Sequence, residues 1–224
     1  MIKKSLLNSF ANSALFITLI KLVGFIKVSF ILGSHALFFS AVGCITPLSG
    51  AFGGITGALG LLSTKLLLSV ITGSIAGSFF AFHIPGFCAA LYWATRSRIV
   101  QIAPALLCMA LFIIHPVGKH AAIYALFWII PIAISFSKSN SLFARSLGST
   151  FTAHAVGSVI WLYTIPMTCD QWLMLLPVVI VERLLFASGM LLAYHAIQWC
   201  LKTVSIANSN KHIFLKTSFF LKNK

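Results

Sequence analysis

The chain has 224 residues, 59% of them hydrophobic and 8% charged, with a mean hydropathy of +1.02. A soluble domain carries about 25% charged residues, so this composition cannot cover a water-facing surface, and the solvent must be largely lipid. The formal charge of +14 comes from 16 Lys/Arg against two acids, Asp170 and Glu182. The bases sit between and beyond apolar runs, so they read as topology signals and anionic-lipid contacts, not as a nucleic-acid face.

The start, "MIKKSLLNSFANSALFITLI", has the basic residues and apolar stretch of a signal sequence. Lys21 and Lys27 interrupt the apolar residues beyond it and no small-residue cleavage site is clear, so the segment reads as retained. Charges and turn residues then mark off apolar runs at 11–33, 36–62, 66–94, 99–116, 121–136, 146–166 and 172–200. A spanning helix needs about 20 residues. The runs 99–116 and 121–136 are short and are split by "HPVGKH". Beyond residue 204 the chain reads as a basic cytoplasmic tail (205–224), so the organisation is one transmembrane helical domain, 1–204, and that tail.

Charge placement sets the count. Lys3 and Lys4 put the N-terminus in the cytoplasm, and Lys202, Lys211, Lys216, Lys222 and Lys224 do the same for the tail. Both ends inside demands an even number of crossings. Working back from the tail, Asp170 falls outside, Lys138 and Arg145 inside, Lys119 outside, Arg96 and Arg98 inside, and a turn near Lys65 outside. Residues 1–65 must then cross once or three times, yet they hold two apolar runs. Either 36–62, which is rich in glycine, is re-entrant or broken, or 11–33 lies at the interface. The expectation is an all-α, polytopic bundle of about six transmembrane helices, N-in and C-in, in the cell's inner (plasma) membrane.

The stretch "VVIVERLLFASGM" (178–190) carries Glu182 and Arg183 near mid-depth of the last helix. Ionisable groups there cost roughly 2.5–3.5 kcal/mol each and must face protein or water. Adjacent helical positions diverge by about 100°, so each is expected to seek a partner elsewhere. In a hairpin that turns near residue 168, His154 and Glu182 lie at equal depth. His154, Ser158 and Trp161 form one stripe at i, i+4, i+7, with Ser149 and Thr152 as a second polar edge. A polar stripe facing a membrane-embedded acid and base suggests a lined cavity. Interhelical hydrogen bonding, which contributes about 0.6–2 kcal/mol per contact, would also account for it. Trp161, Tyr163 and Trp172 flank the turn "YTIPMTCDQW" as interface anchors or as lids over a pocket. Asp170 reads as a solvated loop acid or a helix N-cap. The glycines at 50, 53, 54, 57 and 60, and at 73 and 77, permit close helix packing or docking of a membrane partner.

No phosphate-binding loop, His-Glu-x-x-His or Gly-x-Ser-x-Gly motif occurs, and one membrane acid leaves no carboxylate dyad. No cofactor is implied, and the chain is not expected to be an enzyme. An intramembrane enzyme using Glu182 and His154 to activate water stands as an alternative, as does a structural or assembly role.

The segment "TPLSGAFGGITGALGLL" (46–62) and the polar-lined hairpin "FTAHAVGSVIWLYTIPMTCDQWLMLLPVVIVER" (151–183) are similar in texture to the two halves of the substrate-binding (S) components of energy-coupling factor vitamin transporters. That resemblance implies a six-helix protein that binds a vitamin-like solute from outside. It also implies association with a transmembrane coupling subunit and ATPases. The residues expected to touch the solute are His154, Ser158, Trp161, Glu182 and Arg183.

Overall fold

The computed structural model describes residues 2–26, 41–73, 78–137 and 141–222, with side chains over 13–26, 41–73, 79–137 and 141–203. The described residues are helical and contain no strand. In order they form α1 (Ile2–Val23), α2 (Val42–Ile45), α3 (Leu48–Ile71), α4 (Ser78–Ala94), α5 (Arg98–Ile114), α6 (Pro116–His120), a 3₁₀ helix (Ala122–Trp128), α7 (Ile129–Phe136), α8 (Leu142–Thr164), α9 (Cys169–Met174) and α10 (Leu176–Lys222). Two helices are long and apolar enough to cross a membrane by length and composition, Leu48–Ile71 and Leu176–Thr203.

The first of these is not straight. Gly54 has φ 60 and ψ −155 inside α3, a conformation essentially reserved for glycine. Its consequence depends on chain length. Thr46 packs on Gly86, and Gly50 packs on the Ala90 carbonyl, so residues 46–50 run parallel to α4. Had α3 continued straight from Gly50, Ile71 would lie about 31 Å past Ala90, while Ser78 lies about 18 Å before it. The seven-residue step from Ile71 to Ser78 reaches only about 24 Å. The helix must therefore fold back at Gly54, leaving a short arm before it and residues 55–71 after it. The described part of the run 36–62 is thus broken at Gly54.

The expected turn near Lys65 is absent. Lys65 lies within α3, half-buried. Lysine is a good helix former, and the Thr64 hydroxyl bonds back to the Gly60 carbonyl at 2.7 Å, so nothing stops the helix there. The stop comes at Thr72–Gly73, where Gly73 takes φ 66 in the left-handed C-terminal position glycine favours. α10 likewise continues to Lys222, so residues 205–222 of the basic segment are helical.

Helix ends fix the arrangement of the rest. The last four carbonyls of a helix lack intrahelical donors. At the end of α4, Gln101 Nε2 donates to the carbonyls of Tyr92 (3.3 Å) and Thr95 (3.0 Å), and Arg145 Nη2 donates to that of Trp93 (2.6 Å). Arg98 stacks over Phe136, 5.1 Å from its centroid. The end of α4, the start of α5, the end of α7 and the start of α8 thus share one end of the bundle, with Arg98 and Arg145 there. At the opposite end, Tyr163 Oη donates to the Leu111 carbonyl at 2.9 Å and the His115 ring packs on Tyr163 at 4.9 Å.

α8 is the central helix, packed by α4, α5, the 3₁₀ helix, α7 and α10. It buries Ser146, Ser149, Thr150, Thr152 and Ser158. Two close approaches make this possible. Gly148 leaves room for the Tyr92 hydroxyl, which passes on to donate to the Pro131 carbonyl at 3.1 Å, and Ser149 Oγ donates to the Ala89 carbonyl at 2.9 Å. Meanwhile Phe82, Leu184, Leu185 and Leu192 are exposed, Phe82 by 73% and Leu192 by 71%. Polar residues inside and large apolar ones outside reverse the pattern of a water-soluble core.

Candidate functional site

The 3₁₀ helix, α8, α9 and α10 bring their polar-tipped side chains to one region. His154 of α8 lies at its centre. Trp128 Nε1 donates to His154 Nδ1 at 3.2 Å, Tyr124 Oη is 2.8 Å from His154 Nε2, and Ser158 Oγ is 3.3 Å from the same nitrogen. An indole N–H only donates, so Nδ1 must be the bare nitrogen and the ring proton sits on Nε2. The imidazole is held neutral in one tautomer by geometry. Its ring meets those of Tyr124 (5.3 Å), Phe151 (6.2 Å), Trp128 (6.3 Å) and Phe127 (6.5 Å), yet it remains only half-buried. Trp172 of α9 lies edge-on to Tyr124 at 4.9 Å and to Phe112 at 5.2 Å.

The local fold explains the convergence. Pro116 opens α6, with His115 as its cap accepting from the Val117 amide at 3.3 Å. The chain then tightens into the 3₁₀ helix. With about 2.0 Å of rise per residue there and about 1.5 Å in α7, the fifteen residues 122–136 reach about 26 Å. Tyr124 and Trp128 are both turned to α8 and buried.

Glu182 and Arg183 were expected to look away from each other. They pair instead, with Arg183 Nη2 donating to Glu182 Oε2 at 3.1 Å, both side chains nearly buried. The backbone positions diverge, but both side chains are long enough to bend together, and burial in an apolar surround favours that over separate desolvated charges. Arg183 also stacks over Phe186 at 4.8 Å. The short α2 lies against this pair. Cys44 touches the Phe186 carbonyl at 3.8 Å through its sulfur, and Gly189 gives that sulfur room. The outward face of the same helix shows Ile180, Val181, Leu184 and Leu185.

Of the residues the sequence nominated, His154 and Ser158 meet directly, and Glu182 and Arg183 meet directly. The two pairs are neighbours, since α8 packs on α10 and Arg183 is in electrostatic range of His154 and Tyr124. Trp161 is one turn further along α8, half-buried in the same apolar cluster. Ser149 and Thr152 are not part of a lining. Ser149 bonds α4, and Thr152 bonds its own helix at the Gly148 carbonyl, 2.9 Å away. Trp172, read as an anchor or lid, is buried, while Tyr163 is exposed. The cap of α9 is Thr168, with Gln171 completing a capping box, and the exposed Asp170 sits in its first turn.

Tyr124, Trp128, Phe186 and Cys44 were missed. The Tyr124/Trp128 pair had a signal, two polar-tipped aromatics four residues apart inside an apolar run. Cys44 and Phe186 had none, because a contact across 142 residues leaves no local pattern. No protein-family model, curated protein or solved structure matches this chain.

Proposed function

We propose that the chain is an integral membrane protein of the cell's inner (plasma) membrane. Six crossings are assigned to residues 55–71, α4, α5, the 3₁₀–α7 element, α8 and α10. α1 and residues 42–53 enter and return, so both ends are cytoplasmic. The basic residues support this, since Arg96, Arg98 and Arg145 fall at the end that the positive-inside rule assigns to the cytoplasm. The protein binds a small vitamin-like solute beside His154 and serves as the solute-binding subunit of a transporter, with a separate coupling subunit and ATPases supplying energy.

The observation that carries the reading is the polar centre itself. A half-buried histidine, two hydroxyls and an ion pair are gathered in the middle of a bundle whose outer face is apolar. Such groups cost free energy in a membrane and mark solute sites by default. Native mass spectrometry of the protein purified gently from its own host tests it. A retained small molecule or co-purified ATPases is expected, and a clean, ligand-free chain would overturn the reading.

One observation favours a structural role. Glu182–Arg183 and His154–Trp128 are hydrogen-bonded within the chain, as packing contacts would be. If so, substitutions at these residues lose expression and thermal stability together, and no solute is displaced.

A further inference from the structure

The hydrogen-bond donors around His154 outnumber the acceptors. Nδ1 is taken by the Trp128 N–H, so Nε2 carries the ring proton and cannot accept. Tyr124 Oη and Ser158 Oγ both lie next to Nε2. Three protons (Nε2–H, Tyr124 O–H and Ser158 O–H) therefore share two oxygens. The two hydroxyls cannot both donate along the line joining them. Whichever way the bonds run, one hydroxyl proton is left over.

A second donor is independent of this count. Trp172 is 2% exposed, and its Nε1–H has no acceptor among the described residues, though its ring lies against Tyr124. A buried donor left without an acceptor is costly, and the Trp172 and Tyr124 rings are in contact, so an acceptor between them would relieve both. A carboxylate offers two acceptor oxygens and takes charge-assisted bonds. The surrounding surface is aromatic, from Phe112, Trp128 and Phe151.

We propose that this site takes a flat, apolar small molecule through its carboxylate, held by the surplus hydroxyl proton of the Tyr124–Ser158 pair and by the Trp172 indole N–H. The assignment rests on the solute-binding reading and adds the charge and acceptor chemistry of the solute. It also gives Trp172 a reason to be buried that interface anchoring does not.

The probes are benzoate and benzylamine, of similar size and opposite charge, titrated by calorimetry into the full chain in lipid nanodiscs. Benzoate should bind saturably and at least tenfold more tightly than benzylamine, a comparison that needs no variant. Trp172→Phe and Tyr124→Phe, which keep the rings, should each weaken benzoate about tenfold while the protein stays folded by its unfolding temperature. Three results would overturn the proposal. Benzoate could fail to bind, leaving the donors to ordered water only. Benzylamine could bind as well as benzoate. Both variants could bind as the parent does. A cationic molecule retained in native mass spectrometry, with no benzoate binding, would sink the carboxylate assignment and leave the solute-binding reading standing. No retained molecule and no benzoate binding would end both.

Discussion

Glu182 and Arg183 show how burial decides which charges pair. Removing one member of a buried pair leaves the other desolvated and costs about 3–5 kcal/mol, whereas replacing both with apolar groups of similar volume is often neutral or stabilising. Glu182→Gln should therefore lower the unfolding temperature strongly, because Arg183 loses its 3.1 Å carboxylate partner. The double variant Glu182→Gln/Arg183→Met should recover most of that loss. Thermal unfolding of the four proteins in one detergent gives the coupling, and a Glu182→Gln protein as stable as the parent would contradict the pairing. At this scale the sequence was half legible. It located the acid and base and the His154–Ser158 contact, because these depend on spacing along helices. It did not foresee the bond between Glu182 and Arg183, because side-chain reach and the drive to avoid two separate buried charges do not appear in helical angles. Trp172 was misplaced for a related reason, since a tryptophan near a turn looks the same whether α9 tucks it inward or leaves it at the rim.

Among the elements, α3 carries the least expected feature. No atom lies within 4 Å of a Cβ built on Gly54, so any side chain there acts through backbone strain alone. Gly54→Ala should destabilise by about 1–3 kcal/mol. Gly50→Ala should cost about 1–3 kcal/mol by a different route, since its Cβ would collide with the Ala90 backbone. The sites lie four residues apart, and the packing of Gly50 on Ala90 sets the turn at Gly54, so the two losses should couple and fall short of their sum. Unfolding temperatures of the single and double variants test this, and a harmless Gly54→Ala would mean that the chain does not fold back there. The sequence announced an unusual element through its glycines but not its place. Gly53, Gly54 and Gly57 read alike, and only the packing of Gly50 on Ala90 and the short link to Ser78 pick Gly54. α8 taught the reverse lesson. It is less apolar than α3, α4 and α5, yet it is the most enclosed, because Ser149, Thr150 and Thr152 are satisfied by neighbouring backbone and by its own carbonyls.

For the whole molecule, the consequence of folding back at Gly54 is topological. In the proposed topology, with α1 and residues 42–53 entering and returning and six longer elements crossing, the N-terminus, the Arg96–Arg98 turn and the C-terminus share one face, and Lys119 lies on the other. A straight α3 crossing after a crossing α1 would put the N-terminus opposite the C-terminus. Cysteine labelling separates these. In a Cys88→Ser/Cys169→Ser/Cys200→Ser background, which removes the native cysteines that are not buried, Lys119→Cys should react with a membrane-impermeant maleimide in intact cells. Ser5→Cys, Ser97→Cys and Lys224→Cys should react only after the membrane is opened. Native Cys44 and Cys108 are buried and should stay silent in both conditions. Labelling of Ser5→Cys from outside would break the proposed topology at α1 or at Gly54. Labelling of Ser97→Cys from outside would instead invert the whole bundle, and with it the side from which a solute reaches His154. The charge asymmetry argues against that inversion, because Arg96, Arg98 and Arg145 would all have to lie on the outer face, against the bias that orients short loops.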